Sequence, residues 1–147
     1  MAEHNIIGQK GEEIAAQIMR KKGFRVVNTN WKVGHLEIDV IAENRKQIIF
    51  IEVKTRTTFF ADKRPEEYVD ELKRRRIAAA ANAYLKIKHI EKAPRFDIIG
   101  ITMDATTHEV KEVTHLEDAF LPPQRTIGKS SFSGQGRWKH RNRVIGK

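Results

Sequence analysis

The chain has 147 residues, 32% of them charged, and a net charge of +9, which suits one domain with a modest core plus a tail. It has no cysteine and six scattered histidines, so disulfides and a thiolate zinc site are excluded and any metal would be held by oxygen. No run reaches the roughly 18 apolar residues of a membrane helix, and Met1-Ala2-Glu3-His4-Asn5 lacks a signal peptide's basic-then-apolar layout. A soluble, cytoplasmic protein with no membrane partner is therefore expected.

Residues 5–22 read as a first helix, with Ile6, Ile7, Ile14, Ile18 and Met19 at helical spacing and Gly23 at the stop. Glu12 and Glu13 point about 100° apart on it, so only one can face a sheet. Gly8, Glu12 and Ala16 form a stripe with two small residues, which suits close approach. Phe24 to Val27 is a short strand, and Asn28-Thr29-Asn30 reads as a polar link. Strands near 35–42 and 46–54 follow, joined by the turn-like Glu43-Asn44-Arg45-Lys46, as an antiparallel meander. After a polar and aromatic loop, Pro65-Glu66-Glu67 suits the start of a second helix running to about Lys88. Residues 96–102 alternate as a strand after this helical crossover. His108 to Thr114 reads as an edge strand and Leu116 to Phe120 as a last helical turn.

Pro122-Pro123 closes the globular part, giving a domain over 1–121 and a tail over 122–147. Residues 125–147 hold seven Lys and Arg with no acid, which leaves the first 124 residues at only +2. So few apolar residues lie in the tail that it is expected to be disordered when free.

Acids interrupt two apolar strands. Glu52 and Lys54 share a face of Ile49-Phe50-Ile51-Glu52-Val53-Lys54, and Glu37 and Asp39 share one of Leu36-Glu37-Ile38-Asp39-Val40. Isolated charges are costly to bury, so such groups pair with one another or hold a metal.

The order helix, three strands, helix, strand, with Asp39, Glu52 and Lys54 at this spacing and an acid on the upstream helix, resembles the PD-(D/E)XK nuclease superfamily. The proline position of that name is Ile38 here. Within it the chain is similar to the YraN family of endonuclease-like proteins, which also look like the archaeal Holliday junction resolvases. The resemblance rests on Gly8 to Ala16, Gly23 to Val27, Glu37 to Ala42, Phe50 to Arg56, Lys73 to Ile77 and Arg95 to Ile99, and stops before the tail. It implies an α/β fold with a restriction-endonuclease-like αβββαβ core, a mixed sheet flanked by helices. It also implies a hydrolase that cuts DNA, with branched or recombination-type DNA as a candidate substrate. A catalytically silent nucleic-acid-binding module of the same fold is the alternative.

By the same resemblance, Asp39, Glu52 and Lys54 are the catalytic set. Asp39 and Glu52, with the Val53 carbonyl and Glu12, would ligate Mg²⁺ or Mn²⁺, hard cations that an oxygen-only donor set suits. Lys54 would orient or help deprotonate the attacking water and offset charge on the phosphate. The plainer alternative is a cross-strand salt bridge of Lys54 with Asp39 or Glu52. Glu37 either supports the site from further out or faces solvent, and Asp97 beside Arg95 reads as a structural pair.

Candidate contacts to nucleic acid are Arg56, Lys73 and Arg74 in the body and Arg137, Trp138, Lys139, Arg141 and Arg143 in the tail, where bases mixed with one aromatic suit phosphate contact and stacking. Within Lys73-Arg74-Arg75-Arg76 only about two residues can share a helix face. A homodimer would supply the two sites that paired cuts need.

Overall fold

The computed structural model describes residues 2–57 and 69–120. Its order is α1 (Ala2–Lys21), β1 (Arg25–Val33), β2 (Leu36–Glu43), β3 (Gln47–Thr57), α2 (Glu71–Lys88), β4 (Ala93–Met103) and β5 (Val110–Leu116). The first six elements are the αβββαβ core and β5 is an addition at the edge. The five strands lie side by side in chain order. β1, β2 and β3 form an antiparallel meander, β4 runs parallel to β3 after the α2 crossover, and β5 returns antiparallel to β4. This is the mixed sheet expected, and it carries a helix on each face.

Local chemistry explains the boundaries. α1 ends in a Schellman motif: Phe24 N–H donates to the Met19 carbonyl and Gly23 N–H to the Arg20 carbonyl. Gly23 has φ +96° there, a conformation that glycine adopts without Cβ strain. Asp70 caps α2 by accepting from Lys73 N–H, and His89 in the left-handed region ends it with the same paired bonds. Between β2 and β3, the Asn44 side chain accepts from the N–H groups of Lys46 and Gln47, an Asx turn.

Two expectations are corrected. Asn28, Thr29 and Asn30 do not link strands; they lie inside β1, which continues to Val33 after a register shift between Val26 and Asn28. Asn30 has φ 51°, and asparagine is among the residues that tolerate this kink. Leu116 to Phe120 is not a helical turn: Leu116 closes β5, and Ala119 N–H donates to the Phe96 carbonyl, folding the following residues back over β4. Within the described residues α2 begins at Glu71; the expected start at Pro65 lies outside them, as do residue 121 and the whole tail over 122–147.

Each face of the sheet has its own core. Toward α2 lie Ile41, Ile48, Phe50, Phe96 and Ile98 against Ile77, Ala80, Ala81 and Tyr84. Here an aromatic chain runs from Trp31 through Tyr84, Phe50 and Phe96 to Phe120, with centroids 5.0 to 5.9 Å apart. Toward α1 lie Val40, Ile49, Ile51, Ile99 and Ile101 against Ala15 and Met19. β3 is buried on both faces, which is why it reads as a continuous apolar run. α1 approaches it closely at Gly11, where a Cβ would stand 2.1 Å from Thr55 Cγ2. Gly8 of the expected stripe meets nothing, so the approach is made by Gly11 with Ala15.

Candidate active site

β2 and β3 pair from Val40–Ile51 to Glu43–Ile48 and no further toward the β2 amino end. Asp39 is the first residue past this ladder. Its Oδ2 accepts from Val53 N–H at 2.8 Å, so a carboxylate closes the mouth of the split. Across the mouth stands Glu52, whose side chain is only 10% exposed and whose charge acts on Asp39.

The energetics are those of two acids forced together. Burial, and then the charge of Glu52, push the Asp39 carboxyl up to about 8, although the Val53 N–H opposes them. Burial also raises Glu52, against the pull of the Lys73 and Lys54 ammonium groups. Glu12 reaches the site from α1, half-buried where its neighbour Glu13 is exposed. Its Oε1 accepts from the Asn30 amide at 2.7 Å. Burial raises its pKa, the Asn30 bond opposes this, and Glu37 adds to it. Glu37 is exposed, yet its charge is felt by both Glu12 and Asp39.

The structure thus brings Glu12, Asp39, Glu52 and Lys54 to one end of the sheet, with Val53 supplying backbone. Among the described residues, no group of three or more Asp, Glu or His side chains is arranged as a metal cage. The donors still fit a hard cation, because Mg²⁺ and Mn²⁺ commonly use one or two carboxylates and take water and substrate oxygens for the rest. Two carboxyls that hold a proton above its ordinary range are a site short of positive charge.

The basic run on α2 behaves differently from expectation. Lys73 Nζ lies 3.3 Å from Glu52 Oε2. Arg74 donates through Nε to the Val69 carbonyl at 3.0 Å and lies over the Phe120 ring. Arg75 bonds Glu71 one turn away. Sequence reasoning missed Lys73 as a neighbour of Glu52, although helical phase carries the signal. Lys73 is four residues before Ile77 and seven before Ala80, on the stripe that faces the core. Arg56 follows Lys54 on β3, half-buried. Arg137, Trp138, Lys139, Arg141 and Arg143 lie outside the described residues.

Asp97 belongs to a separate structural network. Fully buried, it accepts from Arg95 Nε and Nη2 at 2.9 and 2.8 Å, from Asp118 N–H at 3.0 Å, and from His115 Nε2 at 2.8 Å. Lys22 donates to His115 Nδ1, which fixes the Nε2–H tautomer because an ammonium only donates. Burial pushes Asp97 up, but the bonds from His115 and Arg95 hold it below the usual range. This is the Arg–Asp pair expected, extended to tie β5 and α1 to β4. A shallow depression of about 520 Å³ between Lys46, His89 and Lys92 touches none of the candidate catalytic residues.

Comparison with known proteins places this geometry in a family. The family described as "Uncharacterised protein family UPF0102" matches residues 11–101. The chain belongs to the UPF0102 family. It is 43% identical to a UPF0102 protein of Phocaeicola vulgatus over 124 residues, covering 84% of this chain and 98% of that protein. A UPF0102 protein of Parabacteroides distasonis is 41% identical over 125 residues, 85% and 100% of the two chains. One from Porphyromonas gingivalis is 39% identical over 120 residues, 82% and 87%. The family match contains Glu12, Asp39, Glu52, Lys54 and Lys73. No described helix is long and apolar enough to cross a membrane.

Proposed function

We propose that this chain is a metal-dependent DNA endonuclease of the PD-(D/E)XK type, acting on branched or recombination-type DNA. The observation that carries the reading is the juxtaposition of the half-buried Asp39 carboxyl with the buried Glu52 carboxyl at the point where β2 and β3 part, with Asp39 pushed up to about 8. A structural ion pair would balance its charges; this site holds an excess of acid that a cation relieves.

Asp39, Glu52 and the Val53 carbonyl would hold Mg²⁺ or Mn²⁺, with Glu12 alongside, tethered by Asn30. When bound, such a cation supplies Lewis-acid charge to a water and a phosphate oxygen. Val53 N–H keeps one Asp39 oxygen directed across the strand gap. Lys54, close enough to Glu52 to pull its pKa down, offsets charge growing on the phosphate and orients the attacking water. Arg56 and the basic tail would hold the DNA backbone, which gives affinity without reading bases.

The catalytically silent binding module of the same fold is the second reading, and the Lys73 ammonium on Glu52 favours it. Incubating the protein with branched, single-stranded and duplex DNA in Mn²⁺, beside Asp39→Ala and Lys54→Ala, decides between them. Cleavage by wild type that both variants lose is the expected result. A wild type that cuts nothing the variants spare sinks the enzyme reading.

A further inference from the structure

Lys73 was expected on a phosphate-facing helix surface and stands instead against the acid cluster, with its side chain 48% exposed and Nζ 3.3 Å from Glu52. We propose that Lys73 is a phosphate-binding residue of this site, held on Glu52 while the site lacks a divalent cation and released to the substrate phosphate when the cation arrives. The inference rests on the metal-dependent reading above.

Two observations and one electrostatic argument support it. The base of the side chain is fixed: Asp70 caps the helix through Lys73 N–H, and Arg74 is anchored to Val69 and Phe120. Its end is free to swing, because half of it is in solvent and four methylenes carry the ammonium as a mobile point charge. Glu52 cannot serve both cations at close range, since an ammonium and a divalent ion on one carboxylate repel. With a cation on Glu52, the Lys73 ammonium would be left to a phosphate drawn to the same site. Arg75, which pairs with Glu71, has no such position.

This arrangement makes two affinities move in opposite directions. In Lys73→Met, Mn²⁺ no longer competes with an ammonium and should bind about threefold tighter by calorimetry, while labelled branched DNA in Ca²⁺ should bind about threefold more weakly, as suits a half-exposed pair. Lys73→Arg should restore DNA binding, and Arg75→Met should leave Mn²⁺ affinity unchanged. Lys73→Gln repeats the measurement should the Met variant fold poorly. Losses in both affinities would mark Lys73 as merely structural and overturn the proposal, as would no change in either. Wild type that binds Mn²⁺ with an unaltered affinity in Lys73→Met overturns this inference alone; wild type that binds no Mn²⁺ overturns the metal-dependent reading with it.

Discussion

Asp39→Asn should make the cation-free protein more stable, and increasingly so as pH rises. The wild-type carboxyl is pushed up to about 8 in the fold, against an ordinary value of 3.8. Between those values the unfolded chain has lost the proton and the folded chain keeps it, so rising pH favours unfolding. A carboxyl raised in this way costs nothing below the unfolded pKa, and its full penalty is reached only above the folded one. Each pH unit in the window is worth a little over ~1 kcal/mol, which sets a ceiling on the order of 5 kcal/mol across it. Proton sharing with Glu52 and partial exposure reduce this to about half.

Asparagine keeps an oxygen for the Val53 N–H and carries no charge beside Glu52 at any pH. For a domain of this size, ~2–3 kcal/mol corresponds to about 6–9 °C in Tm. Thermal melts in EDTA at a series of pH values should therefore show a gap between variant and wild type that vanishes below about pH 3.8 and opens toward pH 8. Adding Mn²⁺ at the upper end should raise the wild-type Tm and not that of the variant, closing much of the gap. A gap that is constant or narrows with pH refutes the acid-pair account of the site.

Gly11→Ala should lose about 1 kcal/mol despite a better helix former, because overpacking against Thr55 exceeds the propensity gain; denaturant melts should show most of the loss recovered in a Thr55→Ser background, which removes the clashing methyl. Asp97→Ala should cost about 3–5 kcal/mol by leaving Arg95 buried without its partner, while cleavage per folded molecule persists. Since its folded pKa is lowered, what Asp97 contributes is present above the unfolded value near 3.8 and fades as pH falls through the folded one. Deleting residues 124–147 should weaken DNA binding and flatten its salt dependence, with a slope change of about 0.9 for each phosphate that the tail neutralises, and should leave Mn²⁺-dependent cleavage measurable.

The fold was legible wherever a pattern had one physical solution. Ile48 to Ile51, short, apolar and mostly β-branched, reads as a strand, and the structure buries it on both faces. Ala78 to Ala81, followed by Tyr84 and Leu85, could only be a helix lying on it, and a helix between two apolar strands brings the second back parallel. Asn28-Thr29-Asn30 failed because local composition says turn, while what holds these residues in β1 is tertiary: the Asn28 side chain accepts from Tyr84 Oη at 2.8 Å and the Asn30 amide serves Glu12. Leu116 to Phe120 failed for a like reason. Its apolar spacing fits a helical turn equally well, but Phe120 stacks on Phe96 at 5.2 Å and Asp118 N–H is claimed by Asp97, neither of which a window of five residues contains.

The site divides along the same line. Alternation along a strand showed that Glu52 and Lys54 share a face and helical phase that only one of Glu12 and Glu13 can meet the sheet, while the choice of Asp39, Glu52, Lys54 and Glu12 as a set came from the resemblance. What alternation cannot state is that β2 leaves β3 just where Asp39 stands, which turns the Asp39 carboxylate onto the Val53 N–H beside Glu52. Lys73 lay between these cases. Its phase with Ile77 and Ala80 was written in the sequence, but four consecutive basic residues read as a solvated face. Only the height of α2 against the end of β3 distinguishes a cation facing solvent from one facing Glu52. That height is set by the Asp70 cap and the Arg74–Phe120 contact, so substitutions that slide α2 should move Lys73 off Glu52 without touching either charge.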